Sequence, residues 1–307
     1  MSFEIPAGVM AAYIGANGAG KSTTVKMLTG IMSPTSGQAV VAGVEPYRER
    51  QRNAANIGVV FGQRSQLWWD LPVPDSFRIL RRIHEIPEHV YRRNMALFQD
   101  LLDLDALGNT PVRQLSLGQR MRAEVAASLL HDPKVIFLDE PTVGLDLVLK
   151  EAVRELFKYV NVELGTTVLL TSHDMGDVAI CDQVLVVNRG EVVHRGSMHE
   201  LLRTADTRAV IFEYRQGFGH GDPLISPAQA IVLIEGHLDG VSASIHEAGR
   251  VRVEYPADRW TARQVMGFLL EHFDITDCVA PEPDLEMVLR RIYTGGGRSA
   301  GSREVRA

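Results

Sequence analysis

The sequence predicts an α/β core that contains an inserted helical subdomain and is followed by a small α+β domain. Three observations predict this fold class. Short apolar runs alternate with helical patterns over the first two thirds of the chain, residues 74–130 have a helical pattern throughout, and short strand patterns return after residue 204. Alternating strands and helices are typical of parallel sheets joined by crossover helices. A chain of 307 residues exceeds the usual size of one domain, so we expect two.

The strands predicted for the first domain, residues 1–204, are short and rich in apolar and β-branched residues. They are residues 9–14, 57–61, 135–138, 167–171 and 183–187. The last of them leads through a turn at residues 188–190 into residues 191–194, which predicts a β-hairpin. Between the second and third strands, Phe98, Leu101 and Leu102 recur at helical spacing. We therefore place the helical subdomain at about residues 74–130.

Residues 205–294 are predicted to form a separate α+β domain. Its predicted strands are residues 209–214, 241–245, 251–255 and 275–279, with helices near residues 229–235 and 263–273. The order strand, helix, two strands, helix, strand suits a ferredoxin-like module. The tail at residues 295–307 is rich in glycine, serine and arginine, and we expect it to be disordered.

Composition excludes several classes of function. The net charge of −6 provides no strong positive field, so no nucleic-acid partner is expected. The two cysteines, Cys181 and Cys278, lack metal-ligand spacing, which favours a reducing compartment. The start has no secretory signal pattern. Apolar runs fall far short of the ~20 residues that a spanning helix needs, so any membrane-spanning part must come from another chain.

Residues 15–22 form a glycine-rich loop of the pattern G-x-x-x-x-G-K-S, between an apolar strand and a helical run. The pattern predicts a phosphate site, because glycines let backbone N–H groups surround phosphates and the helix N terminus adds positive potential. Lys21 would reach the β and γ phosphates, and the Ser22 hydroxyl would bind Mg²⁺. The residues predicted to bind nucleotide are Gly15, Asn17, Gly18, Ala19, Gly20, Lys21, Ser22 and Thr23. An ordinary glycine-rich turn is the alternative, which the flanking strand and helix disfavour.

Two acidic residues follow the strand at 135–138. A carboxylate at the end of a buried strand beside a phosphate loop can reach the metal, so Asp139 is the predicted Mg²⁺ ligand. Glu140, one residue further, would polarise the attacking water. Two solvated acids at a strand end are the alternative, which the neighbouring phosphate loop makes less attractive.

Residues 115–120, with the sequence LSLGQR, resemble the signature of ABC ATPases and precede the Asp139 strand by the expected distance. Ser116 and Gly118 would begin a helix there, where hydroxyl and N–H groups can bind phosphate. The resemblance implies that Ser116, Gly118 and Gln119 bind ATP held by an opposite subunit. Leu117 stands where the commonest form of the signature has glycine. A serine N-cap alone would explain Ser116 but not the whole hexapeptide.

Three further elements match this family in sequence order. Gln63 follows the strand at 57–61, and the resemblance implies that it contacts Mg²⁺ or the attacking water, with Gln66 as the alternative register. Residues 141–146, PTVGLD, resemble the loop through which two ATPase subunits meet, so Asp146 is expected near the shared nucleotide. His173 resembles the histidine that contacts the γ-phosphate. The implied catalytic residues are Glu140, His173 and Gln63, and the implied metal ligands are Ser22, Gln63 and Asp139.

The resemblance covers residues 2–204 and implies the ATP-binding and ATP-hydrolysing subunit of an ABC membrane transporter, with ATP and Mg²⁺ as cofactors. The implied partners are a separate membrane-spanning permease chain and a second ATPase subunit, at the cytoplasmic face of the membrane. The run from Phe61 to Leu71 is similar to that of drug-type exporters, so export is expected. A soluble ABC ATPase of DNA repair or translation and a regulatory ATP sensor are the rivals. The first usually carries coiled coils or basic arms, which this sequence lacks.

Two weaker signals concern the surface and the start of the chain. Trp68 and Trp69 would line the socket for a helix of the membrane subunit or pack within the helical subdomain. The family has further strands and an adenine-stacking aromatic residue ahead of the phosphate loop, whereas Met1 stands fourteen residues before Gly15. We therefore expect the natural chain to begin upstream, with Phe3 continuing a sheet edge and Tyr13 inside a strand.

Overall fold

The computed structural model describes residues 1–61, 65–204, 207–215, 225–281 and 285–294. The chain divides into two compact units, of which the first runs from Met1 to Met198 and the second begins at His199. No helix within the described ranges has both the length and the apolar character needed to cross a bilayer.

A six-stranded sheet forms the centre of the first unit. Its strands are β1 (Met10–Gly15), β2 (Ile57–Phe61), β3 (Val135–Asp139), β4 (Thr167–Thr171), β5 (Gln183–Asn188) and β6 (Glu191–Gly196). The order across the sheet is β2-β3-β4-β1-β5-β6, with β1 to β5 parallel and β6 antiparallel to β5 as the predicted hairpin requires. Strands β1 and β4 are buried along their whole length, as is usual for parallel strands that are covered on both faces.

The described residues up to Arg203 contain eight α-helices. They are α1 (Lys21–Leu28), α2 (Arg50–Asn56), α3 (Val73–Ile83), α4 (Glu88–Leu102), α5 (Leu117–Leu129), α6 (Leu147–Val162), α7 (Met175–Ala179) and α8 (Met198–Arg203), the last lying across the boundary of the units. The stretch predicted to be helical holds α3, α4, α5 and two 3₁₀ turns at Leu104–Leu107 and Val112–Gln114. Pro74 stands in the first turn of α3, where a missing N–H costs nothing.

The second unit is an α+β module. It contains β7 (Thr207–Tyr214), α9 (Pro227–His237), β8 (Ser242–Ile245), β9 (Val251–Pro256), α10 (Ala262–His272), β10 (Ile275–Val279) and α11 (Leu285–Thr294). Its sheet is antiparallel with the order β10-β7-β9-β8, which is the ferredoxin-like arrangement. Capping boxes at Ser226 and Thr261 begin α9 and α10. The predicted fold class is confirmed.

The structure corrects one expectation at the chain start. Residues 1–6 form no strand, so the expectation that Phe3 continues a sheet edge is wrong. The chain turns sharply before β1, where Val9 N donates to Pro6 O at 3.3 Å and Gly8 has a φ of 76°. This turn places the Phe3 ring 5.6 Å from the ring of buried Tyr13. The predicted disordered tail and Gln63 lie outside the described residues.

Candidate active site

The glycine-rich loop connects the end of β1 to the start of α1. A Cβ on Gly15 would lie 2.5 Å from the carbonyl oxygen of Val187, so only glycine lets β5 approach the loop this closely. Gly20 has a φ of 103°, a conformation that side chains disfavour, and α1 begins at the next residue. The first N–H groups of α1 therefore lie beside the loop, as a phosphate site requires.

The Lys21 ammonium is hydrogen-bonded to this loop and lies within electrostatic range of the two predicted acids. Its Nζ donates to the carbonyls of Gly15 at 2.5 Å and Ala16 at 3.3 Å. Burial lowers the pKa of Lys21 below its ordinary value, while the negative charges of Glu140 and Asp139 act in the opposite direction. The predicted phosphate-binding ammonium therefore interacts electrostatically with the predicted catalytic carboxylate, Glu140, and with the predicted Mg²⁺ ligand, Asp139.

The other predicted loop residues divide by exposure. Ala19 is buried, whereas Asn17, Ser22 and Thr23 are exposed on the loop and the first turn of α1. Thr24, the next residue, is buried and donates to Gly20 O at 3.0 Å, which fixes the start of the helix to the loop. The polar residues expected to contact a nucleotide are therefore exposed, while the buried residues Ala19 and Thr24 anchor the loop and the start of α1.

The two acids at the end of β3 share a partner that sequence reasoning missed. Thr171, at the end of the adjacent β4, donates its hydroxyl to Asp139 Oδ1 at 2.6 Å. Its carbonyl accepts from Glu140 N at 3.0 Å. Glu140 has a φ of 54°, a left-handed conformation that is uncommon outside glycine and that typically marks functional sites. Thr171 thus holds both acids at the carboxyl edge of the sheet.

His173 meets Glu140 at this edge. The His173 Nε2 atom lies 3.2 Å from Glu140 Oε1, and both side chains remain accessible to solvent. His173 follows β4 by two residues, and β4 lies between β3 and β1 in the sheet. The parallel order therefore brings together the phosphate loop, the acid pair and the histidine from three neighbouring strands.

The signature residues occupy a second location, where α5 and α6 begin. Ser116 is the N-cap of α5 and forms a capping box with Gln119. A Cβ on Gly118 would lie 2.8 Å from Leu149 Cδ2, so this glycine lets the start of α5 approach α6. Asp146 is the N-cap of α6 and accepts from Leu149 N at 2.9 Å.

Leu117, the residue that departs from the commonest signature, has a defined neighbour. Its Cδ2 atom lies 2.5 Å from the position that a Cβ on Gly144 would take, and Gly144 has a φ of 76°. The Leu117 side chain therefore packs against Gly144, in the loop at residues 141–146. Because Gly144 has no side chain, there is room for leucine at position 117, where the commonest signature has glycine.

Gln63 itself lies outside the described residues, but the loop that follows it is held to α5. Ser65 Oγ donates to Glu124 Oε1, and Gln66 N donates to Glu124 Oε2 at 3.1 Å. Burial raises the pKa of Glu124, and the hydrogen bonds from Ser65 and Gln66 oppose that shift. Gln66 Nε2 donates to the Glu124 carbonyl at 2.9 Å, so this side chain is engaged away from the acid pair and the alternative register is disfavoured.

Both tryptophans that follow this loop lie at the surface. Trp68 and Trp69 have exposed fractions of 39% and 51%, so packing inside the helical subdomain does not account for them. The guanidinium of Arg120 lies 5.5 Å from the ring centre of Trp69, a cation–π contact. They form an exposed aromatic surface next to α5.

The donor set at the sheet edge fits a magnesium nucleoside triphosphate. The Lys21 ammonium and the N–H groups at the start of α1 suit phosphate oxygens. The Asp139 carboxylate and the Ser22 hydroxyl are hard oxygen ligands of the kind that Mg²⁺ prefers. Thr171 orients the Asp139 carboxylate.

Comparison with known proteins agrees with this chemistry. The family model described as ABC transporter matches residues 1–143. The probable multidrug ABC transporter ATP-binding protein YbhF of Escherichia coli K12 is 32% identical over 66% of this chain, which spans only 34% of YbhF. The ABC transporter ATP-binding protein NatA of Bacillus subtilis 168 is 30% identical over 66% of this chain and 82% of NatA. The chain thus spans about a third of the first relative and most of the second.

Solved structures show the same fold. CbiO1 from Clostridium perfringens, part of the ABC transporter complex cbiONQ, is 28% identical with a TM-score of 0.57, over 67% of this chain and 86% of that one. A post-hydrolysis dimer of the ATP-binding cassette MJ0796 bound to ADP and Pi has a TM-score of 0.58 at 24% identity, over 64% of this chain and 88% of that one. The second likeness concerns the fold alone.

Proposed function

The chain belongs to the family of ABC transporter ATP-binding proteins, and on this premise we propose that it binds and hydrolyses Mg-ATP to drive a membrane transporter. The observation that carries the proposal is the position of Lys21, Asp139 and Glu140 at the carboxyl ends of β1 and β3, which the parallel β4 joins in the sheet. Open α/β sheets bind their ligands at this edge. An ammonium, two carboxylates and a glycine-rich loop there form a site for phosphoryl transfer to water.

Each residue at this edge has a distinct role in the proposal. Lys21 and the loop N–H groups bind the β and γ phosphates of ATP. Ser22, Asp139 and Gln63 hold Mg²⁺, which when bound neutralises charge on the phosphates. Thr171 keeps the Asp139 carboxylate oriented through its 2.6 Å hydrogen bond.

Glu140 and His173 act on the attacking water and the γ-phosphate. Glu140 accepts a hydrogen bond from the water and polarises it, a role worth ~10²- to 10⁴-fold in rate. His173, whose Nε2 lies 3.2 Å from Glu140 Oε1, would contact the γ-phosphate. The left-handed backbone of Glu140 holds its carboxylate in this geometry before the substrate arrives.

A second ATPase subunit completes the site in this proposal. Ser116, Gly118 and Gln119 would bind ATP held by the opposite subunit, with Asp146 at the contact. Leu147 and Val148, directly after Asp146, have exposed fractions of 72% and 81%. Apolar side chains this exposed beside a polar N-cap suit a surface that another chain covers. ATP binding would close the dimer, and hydrolysis would reopen it.

The membrane-spanning part of the transporter would be a separate permease chain at the cytoplasmic face of the membrane. The exposed aromatic surface at Trp68 and Trp69 supports a docking site for that chain. Export is the proposed direction, from the resemblance of residues 61–71 to the corresponding run of drug-type exporters. We keep residues 1–204 as the proposed ATPase domain and residues 205–294 as an accessory domain.

The proposal is tested by replacing the phosphate-binding ammonium. Lys21→Ala should abolish ATP binding and hydrolysis, because the loop loses its only side-chain charge for the phosphates. Lys26→Ala, on the same helix, is the matched control and should keep both. Isothermal calorimetry with Mg-ATP and a phosphate-release assay measure the two effects. Unchanged ATP affinity in Lys21→Ala would contradict the assignment.

The permease is identified by a separate experiment. Purification of the chain from membranes, followed by mass spectrometry of the chains that remain bound, should recover a protein with many spanning helices. Recovery of only soluble chains would contradict the transport part of the proposal.

A further inference from the structure

A fully buried carboxylate lies beneath the acid pair and the histidine. Asp177, in α7, is 1% exposed. Its Oδ2 accepts from the Thr142 hydroxyl at 2.5 Å and from the Ser172 hydroxyl at 2.6 Å. Its Oδ1 accepts from Arg154 Nε at 2.8 Å. A buried charge is costly unless it is paired and hydrogen-bonded, and here both carboxylate oxygens have partners.

The hydroxyl partners of Asp177 belong to the two segments that carry the reacting groups. Thr142 follows Glu140 by two residues, and Ser172 directly precedes His173. A single carboxylate oxygen therefore connects both segments at short range. The distance of 3.2 Å between His173 Nε2 and Glu140 Oε1 depends on how these segments are held relative to each other.

Arg154 ties this connection to α6. Its side chain is 7% exposed and also pairs with Glu151 at 2.5 Å and Asp174 at 2.6 Å. Burial acts to lower the pKa of Arg154, but the hydrogen bonds that its guanidinium donates to Asp177 and Glu151 outweigh burial, and the pKa is raised. A Cβ on Gly176 would lie 2.5 Å from the Arg154 guanidinium, so the guanidinium packs directly against α7.

We propose that Asp177 is a positioning residue that sets the geometry of Glu140 against His173 by binding Thr142 and Ser172 at one oxygen, with Arg154 as its anchor. The inference rests on the proposed function, since it concerns ATP hydrolysis at that pair. Asp177 touches neither the substrate nor the reacting atoms. Its effect passes through two hydroxyls, and a displacement of about 1 Å in a catalytic group can lower a rate by about 10²-fold.

Thr142→Val removes one of these hydroxyls with little change in shape. We expect kcat for ATP hydrolysis to fall by about 10- to 100-fold, with the ATP dissociation constant unchanged because the phosphate loop is intact. Thr142→Ser restores the hydroxyl and should recover kcat. Thr166→Val is the matched control, because Thr166 is also a buried threonine, but its hydroxyl donates to the carbonyl of Pro133 and not to Asp177. It should keep kcat.

The Ser172→Ala variant completes a double-mutant cycle on the full-length chain. If one oxygen holds both segments, either loss breaks the connection, so kcat of the double variant should fall no further than that of the lower single variant. Losses that multiply would overturn the inference, because the two hydroxyls would then act separately. A melting temperature measured alongside reports general destabilisation, which would affect kcat and ATP affinity together.

The outcomes separate this inference from the proposed function. Wild-type protein that hydrolyses no Mg-ATP contradicts the proposed function. Wild-type hydrolysis with Thr142→Val and Thr166→Val indistinguishable in kcat leaves that function standing and overturns the positioning role of Asp177. A loss of kcat that Thr142→Ser does not recover also counts against it.

Discussion

The two units of the chain bury different kinds of side chain. In the described part of the chain, every buried polar or charged side chain lies in the first unit, where Arg154 and Asp177 are the extreme cases. The buried side chains of the second unit are aliphatic or aromatic, as with Phe212 and Leu269. Apolar burial stabilises a fold without direction, whereas a satisfied polar network specifies one geometry. The buried polar network of the first unit therefore fixes the relative positions of its segments, whereas the apolar core of the second unit contributes stability.

Backbone strain follows the same division. Glu140 adopts a left-handed conformation at the strand end, which costs of the order of 1–3 kcal/mol and persists only where neighbours enforce it. Thr171 is such a neighbour, through its hydrogen bond to Glu140 N. Among the described residues of the second unit, no residue other than glycine has a positive φ. Replacing a residue at the strained sheet edge should therefore lower kcat with little change in stability. Replacing a residue of the apolar core should lower stability with little change in kcat.

The largest effect is expected at the strained edge. Glu140→Gln should lower kcat for ATP hydrolysis by about 10²- to 10⁴-fold, because the water-polarising carboxylate is lost while the phosphate loop is intact. ATP binding and the free energy of unfolding should stay near the wild-type values. Steady-state phosphate release and gel filtration with ATP are the measurements, and an ATP-bound dimer should accumulate.

Glu155→Gln is the control for this change, because Glu155 is an exposed glutamate on α6 paired with Lys158. It should hydrolyse ATP at the wild-type rate. Near-normal turnover in Glu140→Gln would remove Glu140 from its role. It would also remove the functional reason for its strained backbone.

The reverse pattern is expected in the apolar core of the second unit. Leu269→Ala should lower the free energy of unfolding of that unit by about 2–5 kcal/mol, since the side chain is fully buried and leaves a cavity. Its kcat should not change. Leu270→Ala, next to it and 63% exposed, should change stability by no more than about 0.5 kcal/mol. Faster hydrogen exchange in β9 with unchanged exchange in β4 would localise the effect, and exchange that rises equally in both strands would contradict it.

The smallest effect concerns pH. Burial, with His84 stacked at 4.1 Å, lowers the pKa of His131 to about 4, against about 6.5 in an unfolded chain. As pH falls from about 6.5 to about 4, the unfolded chain takes up a proton that the folded chain does not. Stability present above pH 6.5 is therefore lost over this window, by at most about 3 kcal/mol. Urea unfolding at several pH values measures the slope.

His131→Phe should flatten this pH dependence, although it also loses the contact of 3.0 Å between His131 Nε2 and the Ile57 carbonyl and is less stable at every pH. His89→Phe, an exposed position on α4, should leave the slope unchanged. An identical slope in wild type and His131→Phe would show that the pH sensitivity lies elsewhere.

Local signals in the sequence located most of the fold. The limits of the strands at Ile57–Phe61, Thr167–Thr171 and Ile275–Val279 are as predicted, because β-branched and apolar runs bounded by polar residues act over a few positions. The glycine-rich loop and the strand that ends at Asp139 were likewise predicted from local sequence. The conformation at the start of the chain was not predicted, because the turn at Gly8 brings the Phe3 ring to within 5.6 Å of the Tyr13 ring, and a contact between residues ten positions apart leaves no local pattern.

The sequence by itself predicted which residues act on a nucleotide, the loop and the two acids from their local pattern and the histidine from the family resemblance. Only the tertiary structure decided how those residues are held. Thr142, Arg154 and Asp177 come from three separate segments and are joined by hydrogen bonds. The local sequence around any one of them does not predict the other two as its partners. The partner of a buried charge is selected by the packing of distant helices and strands, where desolvation makes an unpaired charge costly. Which residue pairs with a buried charge therefore depends on contacts between distant parts of the chain, and a local sequence pattern does not predict those contacts.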